Sequence, residues 1–289
     1  MRAVRRFFFA VTDSVREYGL LMSLSVPLWR KTEMSSGQPA VIAGITSYPG
    51  RIRHAWIAIE CMLRQTLPPE RLILVLSEEE FPEKHIPWRL RNQVKRGLEI
   101  LWVANNGRSF DKLVPLLKLY PAATIATFDD DKYFPKDLIH LLFAAHRANP
   151  DHVIGARGWI INPAEGSTTV QYGVNWARAL PGDRGHHLFL PGGNGALYPP
   201  GSLEPGVTDL DAAFELCPTA DDIWFWGHAQ KQGTPMMCLG LPAHRPLQRT
   251  SRGSALSKIN KERNNIQLQK VMDFLGIRKN VEHQAKSHV

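Results

Sequence analysis

The stretch TIATFDDD, residues 124–131, decides the fold class of this 289-residue chain. Its first five residues form a short apolar run, a pattern typical of a buried strand. The run ends abruptly in the three carboxylates Asp129, Asp130 and Asp131. A strand that runs directly into acidic residues indicates a polar site at the end of that strand.

Three further apolar runs precede this stretch, and each begins a new strand in the predicted order: residues 40–46, 72–76 and 99–103. Helix-length sequence separates these runs, and a helix pattern opened by Pro135 follows the acidic triplet. The resulting alternation predicts an α/β fold with a mainly parallel sheet flanked by helices. In open sheets of this kind, ligands bind beyond the carboxyl ends of the strands.

The chain divides into three parts by pattern. Residues 1–33 form a basic, aromatic-rich segment that is predicted to be an amphipathic helix, residues 40–245 form the α/β domain, and residues 246–289 form a basic helical tail. The second half of the central part has short strands, glycine-rich turns and a helix near residues 221–230. We therefore expect an α+β subregion there rather than an independent domain.

Charge and cysteine content exclude several classes of protein. The net charge is +8, and residues 1–31 and 245–289 carry this excess of Lys and Arg at the two ends of the chain. This distribution argues against one broad nucleic-acid-binding face, and no zinc-ligand spacing is present. Three cysteines without paired spacing favour a reducing compartment.

The expected location is the cytoplasm. No run of about 18 uncharged apolar residues is present, so we expect no membrane-spanning segment. The basic segment of residues 1–33 is a candidate for peripheral contact with the anionic inner face of the membrane, although a helix packed on the domain is an alternative.

Three adjacent carboxylates repel one another unless a cation or hydrogen-bond donors compensate them. Because alternate residues of an extended segment point the same way, the triplet can bind ribose hydroxyls with one carboxylate and Mg²⁺ or Mn²⁺ with another. The alternative is a solvated acidic turn that caps the next helix. Asp221 and Asp222 form a second acidic pair before an aromatic run, at the predicted first turn of a helix, where simple N-capping is the alternative role.

The strand followed by the acidic triplet resembles the DxD element of GT-A glycosyltransferases, and the resemblance covers roughly residues 40–245. It implies that Asp129 lies near the donor ribose, with Asp130 beside it, and that Asp131 is the chief metal ligand. In inverting members of the family a carboxylate at the start of such a helix deprotonates the acceptor. The resemblance therefore implies that Asp222 is the catalytic base, with Asp221 on the acceptor side.

Other motifs extend the predicted donor site. The turn after the first strand contains Thr46, Tyr48 and Arg51, where members of the family place the nucleotide base and ribose. Lys112 stands just before a presumed helix, where its ammonium group can reach donor phosphate or a nearby carboxylate.

Further residues are candidates for the acceptor side or for the metal. The glycine cluster with Gly192 and Gly193 resembles the acceptor-side loop of the family, and a plain tight turn is the alternative. Trp159 is a candidate face for a sugar acceptor. His244 is a candidate additional metal ligand, and the arginines that follow it are predicted to close over the diphosphate: Arg245, Arg249 and Arg252.

The sequence thus predicts an inverting, divalent-metal-dependent transferase that moves a sugar from a nucleotide-sugar donor to an acceptor hydroxyl. A bacterial surface polysaccharide or a lipid-linked glycan is the expected acceptor. The alternatives are a non-catalytic glycan- or partner-binding protein on the same scaffold and a nucleotidyltransferase. The turn of residues 46–51 is glycine-poor for a nucleotidyltransferase.

Overall fold

The computed structural model describes residues 19, 22–24, 41–164, 167, 169–247 and 256–286. The strands of this part are β1 (Val41–Thr46), β2 (Arg71–Ser77), β3 (Leu98–Val103), β4 (Thr124–Asp129), β5 (Lys132–Tyr133), β6 (Val153–Gly155), β7 (Trp159–Ile160), β8 (Ala177–Arg178), β9 (Arg184–Gly185), β10 (Leu188–Phe189), β11 (Ala196–Tyr198), β12 (Met236–Cys238) and β13 (Arg245–Pro246).

The α-helices are α1 (Ile52–Leu63), α2 (Trp88–Val94), α3 (Val114–Leu119), α4 (Leu138–Ala148), α5 (Leu210–Leu216), α6 (Asp221–Gln232), α7 (Leu256–Phe274) and α8 (Arg278–Lys286). Short 3₁₀ helices cover Arg108–Lys112, Gly192–Asn194 and Pro205–Thr208.

The central sheet has eight strands in the order β3-β2-β1-β4-β11-β6-β12-β9. The pairs among β3, β2, β1 and β4 are parallel, as is the pair of β6 with β12. Because β11 runs antiparallel to both β4 and β6, the strand β6 points in the same direction as β4. Small sheets of β10-β7-β8 and of β13-β5 complete the ladders.

Helices cover both faces of this sheet, because the central strands are apolar on both sides. Ile42 of β1 faces a core formed with α3, α5, α6, α7 and α8, whereas its neighbours Val41 and Ala43 face a second core formed with α1, α2 and α4. The predicted α/β class with a mainly parallel sheet flanked by helices is therefore confirmed.

Two details differ from the prediction or extend it. Pro135 does not open the helix after the acidic triplet, because α4 begins three residues later at Leu138. The short strand β5 occupies part of the intervening segment and pairs with β13.

The two ends of the chain are only partly described. Residues 1–18, most of the predicted N-terminal segment, lie outside the described residues, as do Arg249 and Arg252. Helices α7 and α8 pack into the same core as α6 through Leu268, Val271 and Val281. Among the residues that the structure describes, no helix has the length and apolar character to cross a membrane.

Glu60 of α1 forms a buried ion cluster on the face of the sheet that carries α1 and α2. Its carboxylate, 2% exposed, lies 2.6 Å from Nε of Arg64 and 2.6 Å from Nη1 of Arg96. Gln93 of α2 donates a further hydrogen bond of 3.0 Å to the same group. Although burial opposes ionisation, these donors lower the pKa of Glu60 below its ordinary value.

Replacement of Glu60 by alanine should destabilise the fold by about 3–5 kcal/mol, because it leaves two arginines without their buried partner. The measurement is urea unfolding of Glu60→Ala at pH 7. Asp273→Ala is the matched control, since Asp273 pairs with Arg278 while its side chain is 62% exposed, and exposed pairs contribute at most about 1 kcal/mol. Similar losses in the two variants would contradict this account of Glu60.

Candidate functional site

Carboxylates from two distant parts of the chain meet at the carboxyl ends of the parallel strands. Asp129 ends β4, and Asp221 begins α6. The ammonium group of Lys112 lies between them, 2.9 Å from Oδ1 of Asp129 and 2.8 Å from Oδ2 of Asp221. Lys112 is 4% exposed, so this cation is held almost entirely by protein groups. The two acidic clusters of the sequence therefore form one site.

Asp129 is bound by two lysines. Its Oδ2 atom lies 2.8 Å from Nζ of Lys132, in addition to the contact of Oδ1 with Lys112. Burial alone would raise the pKa of Asp129, but the two ammonium groups hold that pKa well below its usual range. Asp129 is thus a fixed negative charge, and both of its oxygens already have cationic partners.

Asp130 and Asp131 share Arg51. Nη1 of Arg51 lies 3.0 Å from Oδ1 of Asp130 and 3.1 Å from Oδ2 of Asp131. Ser47 donates a hydrogen bond of 2.5 Å to Oδ2 of Asp130. Burial raises the pKa of Asp130 to about 6 in spite of these donors. Oδ1 of Asp131 is buried and has no hydrogen-bond partner.

The glycine cluster packs on these carboxylates. A Cβ atom on Gly193 would lie 1.9 Å from Oδ2 of Asp129, so only glycine fits at this position. The backbone of Gly192 donates to Oδ1 of Asp222 at 2.9 Å, and its carbonyl accepts from Thr127 of β4 at 3.1 Å. The glycine loop thus lies against carboxylates of the protein itself, and the acceptor-side role of Gly192 and Gly193 stays a prediction.

Asp222 has the ionisation behaviour of a neutral-pH base. Burial and the neighbouring charge of Asp221 raise its pKa to about 7, although Lys112 opposes both effects. A carboxyl group with a pKa near 7 exchanges a proton readily at neutral pH. Asp221 differs in position, because it is in direct contact with Lys112.

A pocket of about 380 Å³ opens beside the acidic cluster. This volume lies within the range of small-molecule sites. Six of the residues that the sequence predicts for the donor site line it: Thr46, Tyr48, Arg51, Lys112, Asp129 and Asp130. The ring of Tyr48 is 41% exposed, and the guanidinium carbon of Arg51 lies 5.6 Å from its centroid.

The sequence analysis missed several residues of this pocket, namely Ser77, Glu80, Asn106, Arg108, Ser109, Asp111, Pro218 and Thr219. Asp111 accepts a hydrogen bond of 3.0 Å from the backbone of Gly107, and burial raises its pKa to about 7. The segment 106–111 follows β3, whose carboxyl end lies at the same edge of the sheet as that of β1. The position of this segment after a parallel strand could have predicted its place in the site.

Several predicted site residues lie outside the lining of this pocket: Asp131, Trp159, Gly192, Gly193, Asp221, Asp222, His244 and Arg245. In the ladder of β13 and β5, Arg245 pairs with Tyr133 and Pro246 pairs with Lys132. This register places His244 opposite Phe134, which is three residues from Asp131. The ring of His244 packs against Phe134 with centroids 5.2 Å apart. Burial lowers the pKa of His244 to about 4, and its Nε2 atom is buried without a hydrogen-bond partner.

The cluster fits a divalent cation that takes one ligand from the protein. Mg²⁺ commonly binds through one or two carboxylates together with substrate phosphates and water. The unpartnered, buried Oδ1 of Asp131 is an oxygen suited to such a cation. Within the described ranges, no three His, Cys, Asp or Glu side chains gather as a complete ligand group. Further ligands would therefore come from the phosphates of a bound nucleotide and from water.

Removal of the Lys112 charge should destabilise the protein by about 3–5 kcal/mol at pH 7, because two carboxylates lose their buried partner. The pKa of Asp129 lies below its ordinary value of 3.8, so its contribution is present above pH 3.8 and is lost as the pH falls. The deficit of Lys112→Met relative to wild type should therefore stay constant between pH 7 and about pH 4 and shrink as the pH falls further toward pH 2.

Denaturant unfolding across this pH range tests the role of Lys112. Lys132→Met is the matched control, because Lys132 contacts Asp129 but not Asp221, and its side chain is 16% exposed. We expect a smaller loss in the control. A deficit that is independent of pH, or equal in both variants, would show that the ammonium group of Lys112 does not hold the two clusters together.

No protein-family model matches this chain, and no curated protein matches its sequence.

Among solved structures, the chain is similar to S. aureus TarS. The structure of TarS residues 1–349 in complex with UDP-GlcNAc has 12% identity and a TM-score of 0.48, and the match covers 83% of this chain and 66% of that one. The complex of TarS with UDP has 13% identity and a TM-score of 0.44, with coverage of 71% and 59%. A longer TarS chain, at 12% identity and a TM-score of 0.44, is covered over 36% of its length. The matched region thus spans between about a third and two thirds of those chains, and at these TM-scores the similarity assigns no function to this protein.

Proposed function

We propose that residues 40–245 form a GT-A type glycosyltransferase domain, which moves a sugar from a nucleotide-sugar donor to an acceptor hydroxyl with inversion. One observation carries the proposal. A strand-end acidic triplet and a helix-start acidic pair meet around the buried Lys112, beside a pocket of nucleotide size. The first cluster suits donor phosphates and a cation, and the second supplies a base.

The pocket offers the groups that a nucleoside diphosphate requires. Tyr48 presents an exposed ring on which a nucleobase can stack, and Asn106 and Ser109 supply amide and hydroxyl groups. The cationic side chains of Arg51 and Lys112 line the pocket near the acidic triplet, where they can attract phosphate oxygens. One cavity therefore holds an aromatic ring and polar groups that suit a nucleobase, together with cationic groups that suit phosphates.

Asp222 is the proposed base. Transfer breaks the bond between the anomeric carbon and the donor phosphate oxygen and forms a bond from that carbon to the acceptor oxygen. The nucleoside diphosphate leaves with the electron pair of the broken bond, and Asp222 takes the proton of the acceptor hydroxyl. The hydrogen bond of Oδ1 of Asp222 with the backbone of Gly192 fixes the orientation of the carboxylate.

Asp131 is the proposed protein ligand of a divalent cation, Mn²⁺ or Mg²⁺. A cation bound there would offset the negative charge that develops on the leaving diphosphate. The ammonium groups of Lys112 and Lys132 keep Asp129 ionised. The guanidinium group of Arg51 orients Asp130. Each carboxylate oxygen can accept a second hydrogen bond, so Asp129 and Asp130 are the proposed acceptors for ribose hydroxyls.

Asp222→Asn should lower sugar transfer by about 10²- to 10⁴-fold, the usual contribution of a general base. The assay follows release of nucleoside diphosphate from a panel of nucleotide sugars, with and without added glycan acceptors. Nucleotide affinity should be unchanged, because Asp222 lies outside the lining of the pocket.

The fold of Asp222→Asn is checked by its stability. The pKa of Asp222 is raised to about 7, so ionisation of this group destabilises wild type as the pH rises above its ordinary value of 3.8 toward 7. The amide variant should therefore be at least as stable as wild type at pH 8. Near-normal turnover in a folded variant would remove Asp222 from the mechanism.

Asp131→Ala should abolish metal-dependent nucleotide binding. Electron paramagnetic resonance of Mn²⁺ with nucleoside diphosphates, in wild type and in the variant, measures this directly. Asp183→Ala is the control, since Asp183 is an exposed carboxylate that bonds the backbone of Leu180 in the same chain. Equal Mn²⁺ binding by Asp131→Ala and wild type would exclude Asp131 as the ligand.

A further inference from the structure

Arg157 and Arg178 are neighbouring arginines that have no carboxylate partner in the part of the chain that the structure describes. Arg157 follows strand β6, and Arg178 ends strand β8. Among the described residues, neither guanidinium forms an ion pair. Nε of Arg157 is buried and has no hydrogen-bond partner, and Nη2 of Arg178 donates at 3.2 Å to the carbonyl of Leu241.

The register of the sheet places Arg157 at the edge that carries the candidate site. Ala196 of β11 pairs with Thr127 of β4 on one side and with Gly155 of β6 on the other. Arg157 lies in the bend two residues beyond Gly155, and Asp129 ends β4 two residues beyond Thr127, so both are at this edge of the sheet. The strands β4 and β6 lie two strand spacings apart, which is roughly 10 Å.

Trp159 joins the two arginines into one surface. The guanidinium carbon of Arg157 lies 5.4 Å from the centroid of the Trp159 ring. Trp159 also pairs with Arg178 across the ladder of β7 and β8, so the two residues are direct cross-strand neighbours. The indole therefore contacts the guanidinium of Arg157 and is the cross-strand neighbour of Arg178, and the charges of the two arginines interact.

This surface is electropositive. Burial lowers the pKa of Arg157, and the charge of Arg178 lowers it further. The charges of Lys132 and Arg157 also contribute to the low pKa of His244. A partly buried guanidinium near a second one, with no carboxylate, costs free energy that a purely structural arginine avoids by pairing. Such an arrangement is favourable when an anion binds.

We propose that Arg157, Trp159 and Arg178 form an acceptor subsite that binds an anionic group, so that the acceptor carries a phosphate or a carboxylate near the hydroxyl that is glycosylated. The identification of the bound molecule as an acceptor rests on the proposed function, whereas the anion site itself does not depend on it. Guanidinium groups recognise phosphate and carboxylate through paired hydrogen bonds. The indole offers an apolar face to the attached sugar or polyol.

The donor diphosphate is the less suitable occupant of this subsite. The nucleotide pocket has its own cations, Arg51 and Lys112, and none of the three subsite residues lines it. The strands β4 and β6 lie two strand spacings apart, about 10 Å, which leaves room for a sugar between the donor phosphates and the anion. An acceptor that reaches toward Asp222 therefore brings its anionic group to the arginines.

The test is calorimetric titration of the full chain with glycerol 3-phosphate, with glucuronate and with uncharged glycerol, in the presence of saturating nucleoside diphosphate. The nucleotide occupies the pocket and prevents the phosphate probe from binding there. Arg157→Gln and Arg178→Gln are compared with Arg184→Gln, because Arg184 is an exposed arginine of β9 whose guanidinium donates to Oδ1 of Asn149 at 3.4 Å.

We expect wild type and Arg184→Gln to bind an anionic probe equally and glycerol not at all. Loss of one charged hydrogen-bonding group should weaken anion binding by roughly 10- to 100-fold in the Arg157 and Arg178 variants. Arginine-dependent binding of glycerol 3-phosphate would identify a phosphate-bearing acceptor, and arginine-dependent binding of glucuronate would identify a carboxylate-bearing one.

Equal anion affinity in Arg178→Gln and Arg184→Gln, or no anion binding by wild type, would overturn the proposal. Arg178 is exposed, so its variant keeps the test valid even if Arg157→Gln fails to fold. Titrations without nucleotide separate the two hypotheses. Arginine-dependent anion binding by a protein that binds no nucleotide would support the anion site and count against the transferase.

Discussion

The buried ammonium group of Lys112 is the interaction on which the candidate site depends. It contacts Asp129 at the end of β4 and Asp221 at the start of α6, two carboxylates that would otherwise repel each other at close range. The backbone of Lys112 also packs against the central sheet. A Cβ atom on Gly44 of β1 would lie 2.1 Å from the carbonyl oxygen of Lys112, so a glycine there lets the segment pack against the strand. The sheet, the lysine and the two acidic clusters therefore constrain one another.

Charge balance explains how the carboxylates of this site divide their roles. Five carboxyl groups, Asp129, Asp130, Asp131, Asp221 and Asp222, face three contacting cations, Arg51, Lys112 and Lys132. Burial and the charges of neighbouring carboxylates raise the pKa values of Asp130 and Asp222, whereas two lysines lower the pKa of Asp129. Asp129 is thus a fixed charge beside the pocket, and Asp222 at the helix start can exchange a proton near neutral pH. A divalent cation would neutralise part of the excess negative charge of the carboxylates, and an anionic acceptor would neutralise the unpaired charges of Arg157 and Arg178.

Local patterns were sufficient to predict the fold and the position of the acidic residues. Apolar runs such as residues 72–76 became strands, and the carboxyl ends of parallel strands brought the turn of Tyr48 to the acidic triplet. The partners of these acids could not be predicted, because they depend on tertiary distance. Nothing in the sequence near Arg51 indicates that it pairs with Asp130, 79 residues away, or that Lys132 turns back onto Asp129. The antiparallel insertion of β11, which brings the Gly192 turn onto Thr127 and Asp222, has no local signal either.

The most direct measurement is a thermal-shift panel of nucleoside diphosphates and nucleotide sugars on the wild-type chain, each with and without Mn²⁺. A ligand that binds the native state raises the unfolding temperature in proportion to its affinity and concentration. The account predicts that one nucleotide class stabilises the protein, and that Mn²⁺ increases this stabilisation. The absence of any response across the panel would contradict a nucleotide-sugar site and would leave the acidic cluster to another ligand.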